Sequence, residues 1–187
     1  MKSTIATCVL LALAMPGAAV AQSSQMQREA PAPGSRATQP QRETAQGFVN
    51  QAWNINNFEI QAGQEAVNKE REGDYKDYAQ MIAKDHMKMQ DELRSITGSA
   101  RGVELPNAAD AEHAQKLKQL GSATGAAFER EFRTQQIKGH QQAIRLFRDY
   151  AASGDNPELQ KFAQNSIPIL ERHLQQAEAL KTPGGVM

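Results

Sequence analysis

Apolar residues recur along the chain at the three-and-four spacing of a helix that buries one face. The clearest stripe is Tyr75, Tyr78, Ile82, Met89, Leu93 and Ile96, which predicts a helix from about Asp74 to Ile96. His86 stands on that stripe one turn after Ile82, and Asp85 lies at its edge. Upstream, Phe48, Ala52, Ile55, Ala62 and Ala66 form one row beside Val49, Trp53, Ile60, Gly63 and Val67. These rows predict a helix from about Thr44, a suitable N-cap, to about Glu72, with Gly73 as its stop. Glu59 falls in the first row, where a carboxylate is out of place unless something inside receives it. A third long helix, about Thr124 to Ala152, has Phe128, Phe132, Gln136, His140, Ile144, Phe147 and Ala151 on its inner stripe. Phe147-Arg148-Asp149-Tyr150 otherwise reads with the charged outer faces as solvated surface. Asp155-Asn156-Pro157-Glu158 then caps a fourth helix, with proline at the first helical position. Its stripe is Leu159, Phe162, Ala163, Ser166, Leu170, His173, Ala177 and Leu180, and Pro168 should kink it.

The stretch between the second and third long helices is broken by Gly98, Gly102 and Pro106. Asn107 is then positioned to cap a short helix through Leu120 that carries His113. This connection is too long for a tight helix-helix turn and suits a crossover to the far end of a bundle. A faint repeat aligns the segment from Tyr78 to His86 with that from Phe132 to His140, as two helical hairpins would. The expected fold is all-α: four long helices in a bundle over residues 44–182, with the crossover and its short helix between helices 2 and 3.

The N-terminal segment departs from this pattern. Lys2, the apolar run Ile5 to Met15 and the ending Ala19-Val20-Ala21 form a signal peptide over residues 1–21, with cleavage before Gln22. The run is too short for a membrane anchor, so no transmembrane segment is expected in the mature chain. Cys8, the single cysteine, lies within this segment, and the mature chain should carry neither thiol nor disulfide. Residues 22–43 hold almost no large apolar side chain and read as a disordered linker. The expected address is the periplasm or the exterior. The whole chain has 21 basic and 21 acidic residues, and losing Lys2 barely shifts that balance. It offers no footprint for nucleic acid or an anionic membrane, and it identifies no protein partner.

Glu59, His86 and His140 lie near the midpoints of their helices, and His173 about one turn beyond its own. Mid-helix positions share a layer in a bundle, so these groups, with Asp85 beside His86, are expected to converge. Each buried polar group without a partner costs roughly 1–3 kcal/mol, so the cluster must be satisfied. Imidazole and carboxylate suit a divalent transition metal, which makes Glu59, Asp85, His86, His140 and His173 the candidate ligands. A hydrogen-bonded cluster without metal is the competing reading. His113 lies off this layer and reads as a surface or packing residue. Met81, Met87 and Met89 flank His86 and could serve copper(I), but methionine more often fills gaps in a core. No nucleophile motif or phosphate loop is present.

Several segments together resemble a bacterial family catalogued as domain of unknown function 4142. They are Phe48-Val49, Glu59-Ile60, Ala79 to His86, Gly102-Val103-Glu104-Leu105-Pro106, Phe128, His140 to Phe147, Asp155 to Leu159 and Ile167 to Leu174. The resemblance covers nearly all of residues 46–181 and implies a ferritin-like four-helix bundle, though no activity. It also implies Asp-His in helix 3 as in helix 2, whereas Gly139 precedes His140 here. The family's outer-membrane label finds no barrel pattern in this chain. The Glu-x-x-His pairs of ferritin-like di-iron proteins are missing, because Ala83 and Leu170 stand three residues before His86 and His173.

The expected function is an exported helical bundle that binds a metal ion through its interior Glu/Asp/His cluster, for storage, sensing or stress protection. The alternative is a metal-free periplasmic scaffold or interaction module. A metal-dependent oxidoreductase is disfavoured by the missing Glu-x-x-His ligands.

Overall fold

A helix must find partners for its first free N–H groups, and here short polar side chains supply them. The Thr44 hydroxyl accepts from the Gly47 N–H at 3.1 Å, and the Asn156 side chain accepts from Glu158 and Leu159. The computed structural model describes residues 44–69 and 73–181. Among them run five helices and no strand: α1 (Ala45–Lys69), α2 (Asp74–Ser99), α3 (Ala111–Ser122), α4 (Gly125–Ser153) and α5 (Pro157–Ala179). No helix among the described residues is long and apolar enough to cross a membrane. The expected signal peptide with Cys8, the linker over 22–43, the last turn of helix 1 at 70–72 and the end of the domain at 182 lie outside the described residues.

Two expectations about local structure change. The short helix begins at Ala111 rather than after Asn107, because Asp110 provides the better cap. One Asp110 carboxylate oxygen accepts from the His113 backbone N–H at 2.9 Å, and the other lies 2.7 Å from the His113 ring Nδ1. Tyr150 is fully buried rather than solvated. It follows Phe147 by three residues and so shares its face, stacking on Phe48 with ring centroids 4.0 Å apart. Its hydroxyl reaches Asp155 at 3.1 Å. Pro168 lies within α5, which continues past it to Ala179.

The long helices pack as two antiparallel pairs, α1 with α2 and α4 with α5, with α2 against α5 and α1 against α4. Gly63 sets the closeness of the first pair. A Cβ there would lie 2.8 Å from the Ala79 carbonyl oxygen and 2.9 Å from the Ala83 Cβ, so any larger residue would push the helices apart. The connection between α2 and α4 runs the length of α1. Gln46, in the first turn of α1, bonds the Glu104 backbone through both its N–H and its carbonyl. Lys69, at the other end, donates to the carbonyls of Gly121 and Ala123.

The core divides into levels along the helices. One apolar cluster contains Phe48, Met89, Leu93, Phe147, Tyr150, Leu159 and Phe162. The other contains Phe58, Ile82, Leu120, Phe128, Phe132 and Leu180. Between them in every long helix comes a buried polar position: Asn56 and Glu59 in α1, His86 in α2, Gln136 and His140 in α4, His173 in α5.

Candidate metal centre

The helical period carries His86, His140 and His173 inward from α2, α4 and α5, and all three are at most 1% exposed. Their rings form a nearly equilateral triangle. Centroids are 5.6 Å apart for His86 and His140, 5.3 Å for His86 and His173, and 5.3 Å for His140 and His173. One ring nitrogen from each lies within 4.8 Å of the other two.

The hydrogen bonds on the outer sides of the rings favour one placement of the protons. His140 Nδ1 lies 2.9 Å from the Gln136 backbone carbonyl, which can only accept, so Nδ1 carries the proton. His173 Nε2 lies 3.3 Å from the Asp85 carboxylate, and an ionised carboxylate also only accepts. His86 Nδ1 lies 2.8 Å from the Asn56 side-chain oxygen. With the Asn56 oxygen facing His86, the proton points outward in each ring and a lone pair points in, at Nε2 of His86, Nε2 of His140 and Nδ1 of His173. The last two face each other at 3.3 Å. His86 Nε2 is buried with no hydrogen-bond partner, whichever way round the Asn56 amide is set.

Burial keeps the cluster uncharged. It holds His86 well below the usual imidazole range, helped by His140 and His173, and brings His140 down to about 3. Burial lowers His173 as well, although Asp85 works in the other direction. Burial alone would raise Asp85, but hydrogen bonds from His173 and Lys88 outweigh it and leave the carboxyl below its ordinary value. Arg172 braces the same carboxylate at 2.7 Å.

Glu59 stands next to this triangle rather than in it. Its Oε1 is 3.9 Å from the proton-bearing Nδ1 of His140, and its Oε2 accepts from the Gln136 amide at 2.7 Å. Burial pushes Glu59 up to about 8, against the Gln136 hydrogen bond and Lys116, which lower it. With both partners neutral, the 3.9 Å contact is no ion pair. Gln136 in turn accepts from the buried Tyr78 hydroxyl at 2.8 Å.

Of the five candidate ligands, the structure brings the three histidines face to face, places Asp85 on the outer nitrogen of His173, and leaves Glu59 beside His140 on the Gln136 amide. His113 packs on the Phe58 ring at 5.3 Å, away from the triangle. Met89 belongs to the Phe48 cluster, Met81 packs against the Phe132 cluster and Met87 is exposed. Sequence reasoning missed Asn56, which orients His86. Its signal was available: Asn56 lies four residues after Ala52 and three before Glu59, on the same buried face.

No curated protein matches the chain. Among solved structures, a DUF305 fragment from Deinococcus radiodurans is similar at 15% identity and a TM-score of 0.62, covering 71% of this chain and 91% of that one. CopM in its Cu(I)-bound form is similar at 22% identity and a TM-score of 0.60, and in its Cu(II)-bound form at 21% and 0.62. Both CopM comparisons cover 73% of this chain and 94% of CopM. These likenesses establish the helical fold. The profile of the family described as Domain of unknown function (DUF4142) matches residues 30–180, and the chain belongs to that family.

Proposed function

We propose that this chain is an exported, ferritin-like four-helix bundle that holds one transition metal ion on His86, His140 and His173, for storage, sensing or stress protection. The observation that carries this reading is the triangle of buried imidazoles whose lone pairs all point inward. Three imidazoles bound at ~2.0–2.1 Å through one nitrogen put those nitrogens about 3.3–3.6 Å apart and the ring centroids about 5–5.5 Å apart. The facing nitrogens at 3.3 Å and centroids at 5.3–5.6 Å lie close to that spacing. Two lone pairs at 3.3 Å repel each other, and a buried bare nitrogen lacks the bond it would make in water. A cation between them relieves both penalties.

Asp85 fits a role one bond out. A carboxylate on the outer N–H of a ligating histidine fixes its tautomer and raises its basicity, which is what Asp85 offers His173. An all-imidazole set suits copper, zinc, nickel or iron, and copper(II) heads the affinity order. The likeness to CopM, solved with copper in both oxidation states, makes copper the first ion to test. The buried site and the missing Glu-x-x-His pairs speak for holding an ion rather than turning over a substrate.

Metal analysis of untagged protein purified from its native compartment is the direct experiment, followed by titration of chelator-treated protein with copper, zinc and manganese. One equivalent bound by wild type, and lost in His86→Ala, is the expected result. The metal-free scaffold reading needs the His173 proton on Nδ1, donated to His140, with a lone pair turned towards Asp85. A wild-type protein indifferent to every ion would favour that arrangement and overturn the metal reading.

A further inference from the structure

A buried ion needs a way in, and the three histidines are sealed. Two approaches come close. On one side Asp85 covers His173, but Arg172 and Lys88 sit on that carboxylate and turn an excess of positive charge outward. On the other side a cleft of about 540 Å³ opens between α1, α3 and α4, and its lining includes Glu59 and Gly139. Glu59 is the group 3.9 Å from His140, and Gly139 is the residue before it. The lining carries Asp110, bonded to the His113 ring, and Glu112, paired with Lys116; both are held below the usual carboxylate range, so two carboxylates stand against one lysine. For an incoming cation, the cleft attracts where the Asp85 side repels.

Gly139 is the second observation. It lies in the middle of the 29-residue α4, where glycine is roughly 0.5–1 kcal/mol less favourable than alanine and no positive φ requires it. Its side of the helix faces the cleft floor: a Cβ would meet only the Glu59 Oε1, at 3.4 Å. Any longer side chain would extend over the Glu59 carboxyl and fill the innermost part of the cleft. The outer wall, α3, has Leu120 as its one buried residue, so it is the least anchored of the five helices.

We propose that the α1–α3–α4 cleft is the loading port of the histidine site, with the Glu59 carboxyl the last group an ion passes and Gly139 the position that keeps the passage open. The proposal rests on the metal reading above. A plug raises the barrier for association and dissociation alike, so it changes rates and not affinity.

The test mixes chelator-stripped protein with copper(II) alone in a stopped-flow instrument and measures association rate and equilibrium dissociation constant separately. Gly139→Leu plugs the floor, Gln142→Trp plugs the cleft from an exposed position on the same wall, and Gln141→Trp on the outer side of α4 is the control. Both plugged variants should load at least about tenfold more slowly, with dissociation constants within about threefold of wild type. The control should match wild type in both measurements. Copper binding by wild type with unslowed loading in both plugged variants would overturn the port alone. So would lost affinity at an unchanged association rate, or an Arg172→Ala variant that loads tenfold faster. Wild type that binds no copper would overturn the metal reading, and the port with it.

Discussion

The same four helices build two very different levels. Around Phe48, Phe147, Tyr150 and Phe162 the contacts are aromatic and nearly complete, with centroid distances from 4.0 to 6.3 Å. About two to three turns along α1, α4 and α5, Glu59, His140 and His173 replace them, with His86 and Gln136 in the same level. The aromatic level needs nothing added, because packing satisfies apolar side chains regardless of their partners. At the polar level each outward-facing nitrogen of the three histidines has an oxygen partner, and the inward lone pairs have none but each other. Burial of this kind weakens the fold unless a ligand completes it. The aromatic level is therefore read as structure and the polar level as a site.

The comparison breaks most visibly under mutation. Phe147→Ala should destabilise the protein by about 3–5 kcal/mol, the range for truncating a buried phenylalanine. Melting curves with chelator and with copper should show the same loss, because this level has no part in metal binding. His86→Ala should behave in the opposite way. Wild type should gain about 2.7 kcal/mol when free metal is a hundredfold above its dissociation constant, and the variant should gain nothing. A Phe147→Ala protein that loses its response to metal would show that the two levels are not independent.

The helices were legible because their stripes are long and regular, and the break between α2 and α3 was marked by Gly98, Gly102 and Pro106 interrupting the pattern. The three histidines could be read because a titratable group on an apolar stripe is conspicuous. What the sequence could not give is which atom points where. Asp85 and Glu59 share a layer with the histidines, yet only the backbone geometry places Asp85 on the outer nitrogen of His173 and Glu59 on the Gln136 amide. Asn56 was overlooked because Asn54 and Asn57 flank it, although its spacing from Ala52 and Glu59 puts it on the buried face. Tyr150 was misread because Arg148 and Asp149 beside it are charged, although its spacing from Phe147 puts it on the inner face.

Acid should separate the levels too. His86 and His140 are lowered in the folded state, so below about pH 6.5 the unfolded chain binds protons that the folded chain refuses. Their stability is thus lost as pH falls. Glu59, raised to about 8, has the opposite sign: its contribution is full below its unfolded value and is lost as pH rises towards 8. His173 is lowered too, so the three imidazoles outweigh the one carboxyl, and stability should fall by at least about 1.4 kcal/mol per pH unit between roughly pH 6.5 and 4.5. Denaturant titrations of metal-free protein across that range measure it. A double His86→Phe, His140→Phe variant should lose the acid sensitivity. Persistence of the full slope would place its origin outside this level.

The smallest effect tests the link between the polar level and its surroundings. Asp85→Asn keeps the size and an accepting oxygen opposite His173 Nε2 but removes the charge. Metal-free stability should change by less than about 1 kcal/mol, because the ion pairs to Arg172 and Lys88 involve exposed cations that water already screens. Metal affinity should fall by roughly 10–100-fold, about 1.4–2.7 kcal/mol, since a neutral partner makes the His173 imidazole less basic and no longer offsets the charge of the ion. Calorimetric titration of both proteins with copper(II), at one pH and ionic strength, measures the difference. If affinity is unchanged while stability falls by several kcal/mol, Asp85 is a structural strut of the α2–α5 contact and the carboxylate does nothing for the histidines.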